Sequence, residues 1–161
     1  MFTCYTLDGA ITINGGTLDV DNPDTVGVVT LTSGTISGDS VLTASSFALE
    51  AGTVSAALGG NGTLTKTGAG TTTLSGANSF TGTAALNGGL VNISALAATG
   101  NSALGANTTI NFAGGGIQFG AAFDPSVRTL AFGAGGAVFD TNGFNVTVAN
   151  SVGNSGTGAL I

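Results

Sequence analysis

The strongest constraint on this chain is a recurrence. Gly16-Thr17-Leu18, Gly34-Thr35-Ile36, Gly52-Thr53-Val54 and Gly70-Thr71-Thr72 fall 18 residues apart, and Gly88-Gly89-Leu90 follows at the same interval. The interval then stretches to 27 at Gly115-Gly116-Ile117 and settles at 20 at Gly135-Gly136-Ala137. A fixed period of this kind marks a repeat architecture, in which one small unit cannot bury its apolar stripe alone.

Apolar residues occupy set places around each glycine. Five and three residues before it stand Ile11 and Ile13, Val29 and Leu31, Phe47 and Leu49, Ile110 and Phe112, Leu130 and Phe132. Two and four residues after it come Leu18 and Val20, Val54 and Ala56, Thr72 and Leu74, Ile117 and Phe119. Each pair has the period of two of a strand, and the odd step across the glycine marks a corner. The unit therefore reads as two short strands around a glycine bend.

Such a unit is too short for a strand-helix-strand crossover, which takes about 30 residues. Stacking remains, with successive units about 4.8 Å apart as parallel strands. The expected fold is all-β: a right-handed parallel β-helix, or β-solenoid, with coils of about 18 to 20 residues and roughly eight coils. A β-sandwich would also space strands evenly, but it gives no reason for the like character of each column. Residues 1–161 read as a single β-solenoid segment, with an Ala-rich loop protruding at residues 94–105.

Composition removes other options. Hydrophobic residues make up 42% and charged residues only 6%, with mean hydropathy +0.48, the opposite of a disordered chain. Two prolines and no three-residue glycine period exclude collagen. The cations Lys66 and Arg128 face eight carboxylates, a net charge of -6, so no basic track for nucleic acid exists. Without His, imidazole base catalysis and histidine metal ligation are unavailable. The lone Cys4 forms no disulfide within the chain, a usage that suits export. Gly, Thr, Ser and Asn interrupt every apolar run, so this segment is not expected to insert in a membrane. Residues 1–10 lack the basic and apolar regions of a signal peptide, and Ala159-Leu160-Ile161 looks like a strand cut short. The chain reads either as a cytoplasmic protein or as an internal fragment of a longer gene product, and the cut strand favours the fragment.

Two groups of acidic residues are candidate sites. Asp21 and Asp39 both lie five residues after their glycine, with Asp140 assigned to the same column, and paired carboxylates about 5 to 9.5 Å apart cleave glycosides. Lys66 and Arg128 fall in other columns, and solvated acids at a loop rim are the simpler reading, so no catalytic residue is assigned. Asp19, Asp21, Asp24 and Asp39 are the candidates for a calcium ion, but they lack the glycine and terminal Glu of a calcium loop. No metal and no cofactor is expected. Thr17, Thr35, Thr53 and Thr71 form an outward column beside Asp19, Ser37, Ser55 and Thr73, similar to the face of ice-binding solenoids, though β-branched Thr suits any exposed strand. Asn-x-Ser/Thr triplets at Asn61, Asn92, Asn107 and Asn145 are no more than a Thr-rich chain produces by chance, and are read as unmodified.

Gly62-Thr63-Leu64-Thr65-Lys66-Thr67-Gly68-Ala69-Gly70-Thr71-Thr72-Thr73-Leu74-Ser75-Gly76-Ala77-Asn78-Ser79-Phe80-Thr81-Gly82 resembles the autotransporter passenger-associated β-strand repeat. Leu86-Asn87-Gly88-Gly89-Leu90 and Ser102-Ala103-Leu104-Gly105 are similar to its second half. Thr72 stands where the repeat usually carries Leu, and Ser79-Phe80 where Thr-Tyr is common. The resemblance implies a passenger segment of a long Gram-negative type V secreted protein, exposed at the cell surface and carried out by its own C-terminal translocator barrel. It brings no catalytic residue. The expected role is a non-enzymatic structural stalk or adhesin segment, meeting a surface or host ligand through the parent protein. The alternatives are a β-helix polysaccharide-degrading enzyme fragment and an ice-binding β-solenoid.

Overall fold

A computed structural model describes residues 9–152 of the chain. The strands are β1 (Ile11–Asp19), β2 (Asp24–Ser37), β3 (Val41–Leu49), β4 (Gly52–Val54), β5 (Ala57–Gly59), β6 (Thr63–Lys66) and β7 (Thr71–Leu74). They continue as β8 (Ala84–Leu86), β9 (Leu90–Ile93), β10 (Thr109–Phe112), β11 (Gly116–Phe119), β12 (Thr129–Phe132) and β13 (Val138–Asp140). Every pairing of named strands is parallel and joins equivalent parts of adjacent coils. The architecture is a β-solenoid of about seven turns with coils of about 19 residues.

One face stacks Val29 on Phe47, Phe47 on Leu64, Leu64 on Ala84, Ala84 on Ile110 and Ile110 on Leu130. A second face runs from the end of β2 through β4, β7, β9 and β11 to β13. The early coils have a third side, where Asp24–Val26 lies on Leu42–Ala44 and Val41–Thr43 on β5. The inward columns are those the alternation predicts: Val29, Leu31, Phe47, Leu49, Ile110, Phe112 and Leu130 are all buried. Burial of each such side chain contributes about 1.5–3 kcal/mol, and that repeated gain is what holds a stack with so thin a core. Toward the C-terminal end the core becomes aromatic, with Phe112 edge-on to Phe132 at 5.5 Å and to Phe139 at 5.8 Å.

The corners explain the glycines. Gly34 has φ +99°, and a Cβ there would lie 2.5 Å from the carbonyl oxygen of Gly16 in the coil before. Only a residue without a side chain satisfies both the left-handed backbone and the close approach.

The 18-residue spacing does not persist in three dimensions. Leu49 is in register with Lys66, yet Gly52 is in register with Thr72, because the bend between Lys66 and Thr72 is longer than the one between Leu49 and Gly52. Three sequence assignments shift in consequence. The outward threonine column is Thr17, Thr35, Thr53 and Thr73, whereas Thr71 pairs with Leu90. Val54 stacks on Leu74 rather than Thr72. Asp140 is in register with Gln118, which follows Asn92 and Thr73, and so continues the threonine column instead of that of Asp21.

Residues 94–105 form an irregular loop. Ser102 makes an antiparallel bridge to Asn78, and Leu96 and Leu104 turn into the core.

Candidate functional site

The acidic residues meet solvent at the first corners. The Asp19 carboxylate accepts a 2.7 Å hydrogen bond from Ser37 Oγ. Asp21 and Asp39 are exposed in successive bends, where Ser40 Oγ donates to the Asp21 carbonyl at 3.0 Å. Asp24 opens β2 and is the ladder partner of Leu42. Among the described residues, no three His, Cys, Asp or Glu side chains converge as a metal site would require. Asp124, farther along, is held below the usual carboxylate range, chiefly by the hydroxyl of Ser126, which donates to Oδ1 at 2.6 Å.

The two cations are the unexpected feature, since both are buried. Lys66 occupies the inward column between Leu49 and Leu86 and is fully shielded from solvent. Its Nζ donates to the carbonyls of Thr67 at 2.5 Å, Gly68 at 3.2 Å and Gly88 at 3.2 Å. The ammonium thus ties together two stacked bends from within. Desolvation pushes its pKa below the ordinary lysine value, and the negative charge of Glu50 partly opposes that shift.

Arg128 does the same work on the long loop. Nε donates to the Ala97 carbonyl at 2.7 Å, and Nη2 donates to the Gly105 carbonyl and to Ser102 Oγ, each at 2.9 Å, and to the Gly100 carbonyl at 3.2 Å. A planar five-donor group suits a ring of carbonyls in this way. Burial lowers its pKa as well. Neither burial is legible from the 18-residue period, because Lys66 lies 17 residues after Leu49 and Arg128 follows the irregular loop.

Polar side chains add further bonds between coils. Asn78 is buried, its Oδ1 accepting from the Leu58 backbone at 2.8 Å and its Nδ2 donating to the Ala103 carbonyl at 2.6 Å. On the outer face Asn92 Nδ2 donates to Gln118 Oε1 at 2.9 Å, and Gln118 Nε2 to Asp140 Oδ2 at 2.8 Å. Thr72 breaks the pattern, because among the described residues its buried hydroxyl has no hydrogen-bond partner.

Two shallow grooves lie on this surface. One of about 280 Å³ runs between Ser75–Ala77 and the long loop, and another of about 290 Å³ is lined by Thr81, Thr83, Asn107 and Thr108. Hydroxyls, amides and methyl groups line them, with no carboxylate or ammonium in either lining. The grooves can form hydrogen bonds to a neutral surface, but they hold no group poised for proton transfer.

Residues 64–93 match a family model described as the passenger-associated-transport-repeat. The matched stretch runs from β6 to β9 and contains Lys66, Thr72, Asn78 and Phe80. No curated protein and no solved structure matches the chain.

Proposed function

We propose that this chain is a non-enzymatic structural stalk, a spacer within an autotransporter passenger exported to the cell surface. The observation that carries the reading is the parallel pairing of strands in successive coils from β1 to β13, which turns chain length directly into distance at about 4.8 Å per coil. The passenger-associated-transport-repeat match supports the passenger assignment. The surface supports the spacer role, because from Ala51 to Phe123 the only charged residue is the buried Lys66. An uncharged face of Thr, Ser, Asn and Gly offers little electrostatic purchase to other macromolecules.

The test is deletion of residues 29–63 from the protein as its cells make it. This joins Val28 to Leu64, which occupies the same column as Val29, and removes two coils in register. A spacer keeps surface display and distal binding while the stalk shortens by about 10 Å. Loss of binding with display intact locates an adhesive face here and overturns the spacer reading. Glycan hydrolysis that disappears on deletion favours the enzyme alternative.

A further inference from the structure

The segment after β13 is held differently from the rest of the stack. Residues 141–152 belong to no strand, and among the described residues their bonds to the preceding coil run through side chains rather than a backbone ladder. Apolar packing holds the segment only in part. Val146 and Val152 pack against the core, while Phe144 and Val148 stay 39% and 40% exposed.

Each end of the segment has its own fastening. At the near end the chain turns through Asn142 and Gly143, with φ +48° and +83°, and Asn142 donates from its backbone to Asp140 Oδ1 at 3.0 Å and from Nδ2 to the Phe119 carbonyl at 3.3 Å. At the far end Ala149 and Asn150 rest on the short 3₁₀ turn Pro125–Val127 and the Asp124 that caps it. The Ala149 N–H donates to Asp124 Oδ2 at 3.3 Å. Asn150 donates from its backbone to Ser126 Oγ at 2.9 Å and from Nδ2 to the Ser126 carbonyl at 3.2 Å. Ser126 in turn donates from N and from Oγ to Asp124 Oδ1, at 2.8 and 2.6 Å. The Ser126 hydroxyl is therefore a relay: its short bond to a charged acceptor polarises it and strengthens its acceptance from Asn150. One carboxylate supports both anchored amides.

A proton on Asp124 undoes this arrangement. Oδ1 already accepts two bonds, so the proton settles on Oδ2 and sets an O–H donor against the Ala149 N–H donor. With the charge gone, the Ser126 relay weakens as well. Ser126 and Ala149 are the groups that face Asp124, and residues 141–152 contain no titratable side chain. In the coil beneath, Arg128 is committed to the long loop, and Asp140 lies at the near end of the segment, bonded to Gln118 and Asn142. We propose that residues 143–152 are an acid-released strap, clasped to the stack by Asp124 through Ser126 and hinged at Asn142. Opening takes Val146 off the core and leaves the strands of the stack paired. Because the Ser126 hydroxyl holds the Asp124 carboxyl below its ordinary range, the clasp stays shut in mild acid and opens as the pH falls through that lowered value.

Hydrogen exchange followed at single amides by NMR, relative to the unstructured rate at each pH, tests the strap. In the parent, protection of the Ala149 and Asn150 amides at pH 5 should fall by about tenfold at pH 2.5, with the ladders of β10 to β12 and β11 to β13 still protected. Asp124→Asn keeps an oxygen acceptor without the charge, and should show the open strap already at pH 5. Ser126→Ala keeps the carboxylate but cuts the relay, and should expose the Asn150 amide at pH 5 more than that of Ala149. Asp39→Asn, in an exposed bend of the early coils, should follow the parent. Amides of Ala149 and Asn150 that stay protected in the parent at pH 2.5 or in Asp124→Asn at pH 5 overturn the proposal. An Asn150 amide unchanged in Ser126→Ala overturns it too, as does loss of the ladders together with the strap in acid.

Discussion

Lys66 stands directly in register with Leu49 of the preceding coil, so the column that buries aliphatic side chains elsewhere holds an ammonium at this level. The charge is tolerated because three bend carbonyls accept from it. Its pKa is nevertheless lowered, since those dipoles replace only part of the lost hydration.

This lowered pKa has a definite pH signature. In the window between the folded-state pKa and the ordinary value of 10.5, the unfolded chain binds the proton and the folded chain does not. Stability contributed by this group therefore rises with pH through that window, and is lowest where Lys66 is charged in both states. Urea denaturation at pH 8 and pH 10.5 should show the gain in the parent and its loss in Lys66→Met. Equal pH dependence in both proteins would reject the assignment. At pH 8 the variant should itself lose about 1–3 kcal/mol, since buried carbonyls are left without a donor.

Thr72 carries the opposite defect, a buried hydroxyl with no partner. Thr72→Val keeps the shape and removes the polar atom, and should stabilise the fold by about 1 kcal/mol. Thermal denaturation measures this directly, and a lower melting temperature would mean that the hydroxyl is satisfied in solution.

The inward columns can be tested against the outward one. Leu31 is fully buried, and Leu31→Asp places an unpaired carboxylate in a core one side chain thick, at a cost of about 3–5 kcal/mol. Thr35→Ser on the outer threonine ladder should stay within about 0.5 kcal/mol. Similar melting temperatures for the two variants would contradict the column assignment.

Arg128 should matter locally more than globally. Arg128→Met strips the donors from the Ala97, Gly100 and Gly105 carbonyls, and should cost about 1–3 kcal/mol while opening the long loop. Hydrogen exchange at residues 97–107 should accelerate, with β2 and β3 unchanged. Uniform acceleration across the chain would show instead that Arg128 supports the whole stack.

The periodicity of glycine and the alternation of Val29, Leu31, Phe47 and Leu49 sufficed to specify parallel stacking, because both patterns are local and repeat along the chain. They also identified the inward residues beside the glycine bends of the first three coils, but not Val26, Leu42 and Ala44 on the third side. The length of the bend after Lys66 was not legible, since a bend contributes no periodic signal, and a slip of one residue sends every side chain of a strand to the other face. That bend decides that Thr73 rather than Thr71 continues the ladder, while the 17-residue step from Leu49 makes Lys66 core and the 22-residue step from Gln118 takes Asp140 out of the column of Asp21. The four Asn-x-Ser/Thr triplets are alike as text. The packing of coil upon coil joins Asn92 to Gln118, 26 residues on, and Asn107 to Gly82, 25 residues back, beside the local bond of Asn107 to Leu104, and leaves Asn61 and Asn145 exposed, because partners so distant in the chain are chosen by stacking.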